Sequence, residues 1–474
     1  MYAYFQMLYN FGTLFDKSQK QSTDRVLPLK NYKKIRADLL PLHINQFYDN
    51  ILLNYLYIGH NAFLSQLYGT TPLSQLDYGF TPYQISSSIT SNLINWSKSH
   101  ITEKAVELTR AGFSTANIYG LPADYQPSHD SNQYWIQLQV PTGKKLGTNG
   151  LPEIDPADPT TYKIQNFLGK DFYLNTGFAV DPTSNIINLS RHISTNWETG
   201  LKEQMDLILA EYENLTDTKK MTAELFAGSS KGVLPPPGFF IVIAIELSQK
   251  YKQSIQNDLI MFFSLACGLF DAAVSAWYYK STYNQGRPIS LIRNNYTNDN
   301  ITSWSPTDSS QTAISITGSQ WLPYQNLNFV TPPFPDVASG HTTFSRVAGK
   351  ILNWWFNNPV LYDGFTTIKM PNSFLICPSL NNMQKECLIG EFILQKGSST
   401  IEPNITPKTN ITLIYKTLEE LYLAAGISRV YGGIHSFQTN EVSGMLADWV
   451  YTQTYNKLIN LFRFTSPYDK VINS

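Results

Sequence analysis

A chain of 474 residues can bury a large core, as one big domain or as two of ordinary size. Its 35 Lys and Arg almost cancel its 36 Asp and Glu, and no long basic run occurs, which argues against nucleic acid as a main partner. Three cysteines, Cys267, Cys377 and Cys387, are too few for a disulfide framework and none stands in a CxxC metal arrangement; Cys377 and Cys387 would pair only in an oxidising compartment.

The opening MYAYFQMLYNFGTLFDKSQK has no basic leader and no small-residue cleavage site, so it does not read as a signal peptide. Up to about Gly120, apolar residues recur at three- and four-residue steps, as in YQISSSITSNLINWSKSHITEKAVELTRAGFSTANIYG, and predict helices. Residues 121–162, rich in Gly, Pro and Asp, predict a loop with one short strand at YWIQLQV. A helix is expected over Trp197 to Phe226, and PPPG at 235–238 then punctuates the chain. Helical periodicity resumes over Phe239 to Lys250 and Gln253 to Tyr283. The most apolar run, Leu259 to Trp277, contains Asp271, so it predicts a buried helix, and no transmembrane segment is expected.

Residues 294–335 and 357–408 lack sustained periodicity and predict irregular segments of the kind that carry function or cover a site. Two last helices are expected over Ile411 to Val430 and Ser436 to Leu461. Strand-like alternation is scarce, so the predicted fold class is all-α: two packed helical bundles, residues 1–234 and 235–474, with the active site at helix ends of the C-terminal bundle.

Three islands in the C-terminal half concentrate chemistry. They are WYYKSTYNQGRPISLIR at 277–293, PFPDVASGHTTFSRVAGKIL at 333–352 and AAGISRVYGGIHSFQTNEVSG at 424–444. Each has an ordinary structural account: cations favoured at a helix C-terminus, an N-cap serine, a glycine pair between helices. Together they supply Lys280, Arg287, Ser339, the Gly340 backbone N–H, His341, Arg429 and His435, all at expected helix ends. Cationic donors around a helix N-terminus suit a tetrahedral oxyanion, arginine as a planar fork and lysine as a point charge. One histidine can attack or coordinate the central atom while the other handles protons.

Lys280-x6-Arg287-Pro288, Ser339-Gly340-His341 and Ser428-Arg429-x5-His435 resemble, in order and spacing, the three-part signature of vanadium-dependent haloperoxidases and the related phosphatidic-acid-phosphatase-type acid phosphatases. The resemblance covers about residues 230–455. It implies vanadate as cofactor, held by His435 as the vanadium ligand, with Lys280, Arg287, Ser339, Gly340 and Arg429 around its oxygens. It further implies that His341 takes the proton of hydrogen peroxide, that Lys280 polarises the peroxide, and that a halide is oxidised to a hypohalous-acid equivalent that reaches a small organic acceptor. Trp277 and Phe334 match the aromatic pair on the halide side of chloroperoxidase-type members, although in a chain with 14% aromatics core packing explains them as well. A homo-oligomer is compatible with the pattern. The alternative implied activity is that of a soluble acid phosphatase, with His435 forming a phospho-histidine and His341 protonating the leaving alcohol; a helical scaffold that lost the chemistry is the third reading.

Two positions depart from the family pattern. Ala338 stands where proline is usual, which bears on loop stiffness. Thr439 stands where an aspartate four residues after the histidine is usual, so His435 is expected to be oriented by a backbone carbonyl or by a neighbour such as Asn440 or Glu441. His43, His60, His100, His129 and His192 lie outside the matched region and are expected to be structural or exposed.

Overall fold

The computed structural model describes residues 133–462 except positions 149, 166, 171, 175, 176, 183, 228–234, 308–312, 363–368, 372–385 and 389. The helices expected before Gly120, together with His43, His60, His100, His129 and Cys377, lie outside the described residues. Two compact units share the described residues: 253–266 belong to one, and 133–252 with 267–462 make up the other.

The fold is all-α, with eight α-helices among the described residues: α1 (Lys202–Glu213), α2 (Asp217–Leu225), α3 (Pro236–Lys250), α4 (Ile255–Tyr283), α5 (Pro288–Asn295), α6 (Gly340–Phe356), α7 (Leu418–Tyr431) and α8 (Phe437–Phe462). Short antiparallel ladders sit between them: β1 (Gln139–Pro141) with β2 (Tyr162–Ile164), β3 (Asn300–Ser303) with β4 (Ile314–Thr317), and a four-stranded sheet in the order β5 (Lys369–Pro371), β6 (Glu386–Leu388), β7 (Glu391–Leu394), β8 (Ile411–Ile414).

Three expectations are corrected. The helix expected over Trp197 to Phe226 breaks at Asn214 to Thr216, where the Thr216 hydroxyl accepts the Lys219 N–H at 3.3 Å and starts α2 afresh. The helix expected from Ile411 begins only at Leu418. The preceding Ile-Thr-Leu-Ile run pairs as β8 against β7, Leu394 opposite Ile411 and Glu391 opposite Ile414, and Thr417 caps α7 by accepting the Glu420 N–H. The two segments expected to be irregular, 294–335 and 357–408, hold the β3–β4 pair and part of the β5–β8 sheet. These strands are three or four residues long, too short for alternation to register against the surrounding polar text.

Helix α6 packs against α3, α7 and α8, and α7 packs against α2. The α6 sequence explains this: Val347, Ala348, Ile351, Leu352, Trp355 and Phe356 recur at three- and four-residue steps and are all buried. Each large one contributes roughly 1.5–3 kcal/mol by leaving water. Gly268 brings α4 close to α6, since a β-carbon there would collide with Ile351 and Val347. Residues 260–283 of α4 are long and apolar enough to cross a membrane, yet 78% of that window is buried, as in a core helix. Its Asp271 is fully buried and accepts the Ala179 N–H at 3.0 Å and the Thr454 hydroxyl at 2.7 Å; burial pushes its carboxyl up to about 6.

A buried polar knot ties α2 to the 399–406 loop. Lys220 Nζ lies 2.9 Å from Glu402, which also accepts the Trp304 indole N–H at 2.7 Å and the Thr406 hydroxyl at 2.6 Å. Burial raises the Glu402 carboxyl, but the hydrogen bonds from Thr406 and Trp304 and the charge of Lys220 leave it below its ordinary value. Lys220→Met is expected to cost about 3–5 kcal/mol, because it strands a buried carboxylate. Equilibrium denaturant unfolding measures this, and a loss under 1 kcal/mol would show the knot to be expendable.

Candidate active site at the helix ends

The three islands meet. Helix α4 carries Trp277 and Lys280 in its last turns, and Arg287 is the N-cap of α5, with Pro288 at the first helical position. Arg287 is fixed because Ile289, Leu291 and Ile292 behind it are buried in a core cluster with Tyr212, Trp304 and Trp321. Ser339 is the N-cap of α6, its hydroxyl accepting the Thr342 N–H at 3.3 Å. Arg429 ends α7, and the chain then turns through Gly433 at φ +64°, where a β-carbon would strike Tyr212 and Pro323. That turn delivers His435 two residues before α8.

Arg287 joins the islands. Its Nε donates to the Phe334 carbonyl at 2.8 Å, and its Nη1 donates to the Ile434 carbonyl at 2.6 Å and lies 3.2 Å from His435 Nε2. Its Nη2 is buried with no hydrogen-bond partner. Lys280 Nζ donates to the carbonyls of Pro335 (2.8 Å) and Asp336 (3.1 Å). It sits 4.8 Å from the Phe334 ring centroid and 6.0 Å from that of Trp277, and those two rings are 5.3 Å apart. Arg429 donates through Nε to the Ser428 hydroxyl at 3.0 Å and through Nη2 to the Ala223 carbonyl. His341, half-buried, bonds through Nε2 to the Phe226 carbonyl at 2.8 Å. A carbonyl only accepts, so Nε2 carries the proton and Nδ1 keeps the lone pair.

Two contributors were not anticipated. The C-terminal end of α2 offers the Ala223 and Phe226 carbonyls to Arg429 and His341, the favourable negative end of a helix for cationic and N–H groups. The second is Asp336, 1% exposed: its Oδ1 accepts from His435 Nδ1 and its Oδ2 accepts the Thr439 hydroxyl at 2.9 Å. The expected orienters, Asn440 and Glu441, do not fill that place; the Asn440 side chain accepts from the Thr342 hydroxyl at 2.7 Å, and both residues line a separate cleft of about 210 Å³ with Arg346, Tyr422 and Asp448. Of the remaining histidines, His192 is exposed, as expected.

Electrostatically the site is short of negative charge. Lys280, Arg287 and Arg429 are each no more than 1% exposed, and among the described residues of this constellation Asp336 is the one facing carboxylate, 3.8 Å from Arg287 Nη1. Burial drives Lys280 well below its ordinary value and brings Arg287 and Arg429 down to about 10 and about 9. Burial likewise lowers both histidines, with neighbouring arginines adding to it, so each is neutral near pH 7. Three buried cations against one carboxylate, an orphaned guanidinium N–H and the N-terminus of α6 suit an oxyanion. Vanadate fits this donor set. Among the described residues no three His, Cys, Asp or Glu side chains gather as a bare metal cation would require.

Residues 260–463 match the family model described as VCPO second helical-bundle domain. Holo-type and apo-type crystal structures of bacterial vanadium-dependent chloroperoxidase share the fold, each with a TM-score of 0.59, at 18% and 17% identity, over 97% of this chain and 92% and 93% of theirs. No curated protein sequence matches. The stretch that carries the oxyanion constellation is thus the one that matches the VCPO second helical-bundle domain, and the chain as a whole shares the fold of the vanadium-dependent chloroperoxidase structures.

Proposed function

We propose that the protein is a vanadate-dependent haloperoxidase that uses hydrogen peroxide to oxidise a halide to a hypohalous-acid equivalent, which passes to a small organic acceptor. The observation that carries this reading is the aromatic wall beside a buried lysine: Trp277 and Phe334 flank Lys280 within 6.0 Å. A phosphatase needs the same cations, whereas two half-buried aromatic rings beside the lysine suit the approach of a poorly hydrated halide. When bound, vanadate supplies the Lewis acidity that makes peroxide electrophilic.

The chain's own residues do the rest. His435 Nε2, left unprotonated by the Nδ1 bond to Asp336, would hold the vanadium in place of its 3.2 Å contact with Arg287 Nη1. Arg287, Arg429, Lys280, Ser339 and the Gly340 N–H bind and orient the oxygens, the charged donors contributing most. His341 Nδ1 accepts the proton of hydrogen peroxide, its Nε2–H fixed on the Phe226 carbonyl. Lys280 has given two N–H groups to carbonyls, and its remaining N–H would polarise peroxide. Trp277 and Phe334 exclude water on the halide side.

The deciding experiment loads the protein with orthovanadate and follows peroxide-dependent halogenation of a phenolic or diketone dye with chloride, bromide and iodide. A parallel arm without vanadate follows aryl phosphate hydrolysis. Halogenation is expected with bromide and iodide, and Phe334→His is expected to shift preference away from chloride without loss of vanadate, because the imidazole hydrates the apolar face. Phosphate hydrolysis with no vanadate-dependent halogenation under any halide would establish the phosphatase reading instead.

A further inference from the structure

The acid that orients a catalytic histidine need not follow it in sequence. We propose that Asp336, from the segment leading into α6, is the positioning residue of His435, and that the Thr439 hydroxyl has the separate task of holding Asp336. The pair replaces the single aspartate expected at position 439.

The geometry supports this at both oxygens. Asp336 Oδ1 takes His435 Nδ1, which places the ring proton on Nδ1 and leaves Nε2 unprotonated. Asp336 Oδ2 takes the Thr439 hydroxyl at 2.9 Å. Thr439 is itself fixed, its N–H donating to the Ser436 hydroxyl at 3.0 Å and its carbonyl accepting the Ser443 hydroxyl at 2.5 Å. Ser443 then accepts the Ser339 N–H at 2.7 Å, so one buried chain of bonds runs from the His435 ring to the N-cap of α6. The Asp336 main chain is pinned too, its N–H donating to the Gln285 carbonyl at 3.0 Å and its carbonyl accepting from Lys280. His435, Asp336 and Thr439 are at most 2% exposed, so water cannot substitute for any of them. A threonine alone is too short on charge to orient an imidazole, and an apolar residue at 439 would take one of the donors from the buried Asp336 carboxylate, which also receives a backbone hydrogen bond from Ser436.

The vanadate arm of the test rests on the haloperoxidase reading; a second arm does not. In the first, vanadate and phosphate affinities are measured by calorimetry for the wild type, Asp336→Ala, Thr439→Val, Thr439→Ser and the double variant Asp336→Ala with Thr439→Asp. Phosphate reports the cationic cradle alone, whereas vanadate also needs the His435 lone pair. Asp336→Ala is expected to weaken vanadate about 10- to 100-fold, the usual size of losing a ligand's orienting partner. It should not weaken phosphate, because a nearby negative charge has been removed. Thr439→Val should lose a smaller part of the vanadate affinity, Thr439→Ser should keep it, and the double variant should recover most of it. Parallel changes for both anions, or no recovery in the double variant, would overturn the proposal.

The second arm is ¹⁵N NMR of the imidazole nitrogens in the ligand-free protein, with His435 assigned by substitution. The wild type and Thr439→Ser should show His435 protonated at Nδ1, and Asp336→Ala should lose that preference. A wild-type His435 protonated at Nε2 would overturn the proposal. If the wild type failed to bind vanadate at all, the proposed function would fall while these nitrogen shifts still decided the role of Asp336.

Discussion

His435→Ala is expected to abolish vanadium retention outright, whereas His341→Ala should keep the oxyanion and slow turnover by about 10²–10⁴-fold, the usual size of a proton-transfer contribution. The two rings are both neutral and both lowered by burial, yet they are tied differently. His435 has Nδ1 committed to Asp336 and so presents the lone pair of Nε2, the form in which imidazole binds a metal centre. His341 has Nε2–H committed to the Phe226 carbonyl and presents the lone pair of Nδ1, the form of a general base. Without His435 the cations still attract the anion, but nothing bonds its central atom, so it leaves on gel filtration. Without His341 the cradle is complete and only the proton acceptor is missing. Vanadium content after gel filtration, set beside initial halogenation rates, separates the two. Equal loss of vanadium from both variants would show the assigned roles to be wrong.

Much of this constellation was legible because its members sit at helix ends, where glycine, proline and charge leave strong marks. Ser339-Gly340-His341 reads as a helix start and is one, and Gly432-Gly433 reads as a break and is one. Asp336 was harder to see. It stands between Pro335 and Val337 in a loop with no periodicity, and its partner His435 is 99 positions away, so no local pattern links them. A weak clue was present: a missing acid at 439 implies a replacement elsewhere, and Asp336 is the carboxylate inside the second island. The Ala223 and Phe226 carbonyls were beyond reach, since any residue type supplies a carbonyl. The strand at 411–414 was misread because its apolar residues run on into α7 and imitate one continuous helix, while the capping residue Thr417 marks the true start.

Arg287→Ala and Arg429→Ala are each expected to weaken vanadate and phosphate by roughly 10- to 150-fold, the equivalent of about 1.5–3 kcal/mol for one charge-assisted contact. The sign follows from the state of the ligand-free site. Burial already drives both guanidinium groups down, to about 10 and about 9, so each pays for its charge until an anion arrives and restores it. Arg287 has the clearer claim, because its Nη2 is buried and without a partner while Nε and Nη1 are held on backbone carbonyls. Arg287→Lys keeps the charge but not the planar fork, so it should recover only part of the loss. Thermal unfolding with and without phosphate gives a second readout. A ligand at 100 times its Kd stabilises by about 2.7 kcal/mol, and a 100-fold weaker site at the same concentration by only about 0.4 kcal/mol. The ligand-free Arg287 variant should lose less stability than its ligand-bound counterpart, since removing that charge relieves repulsion with Lys280. Undiminished binding of both anions after both substitutions would place the oxyanion site elsewhere in the molecule.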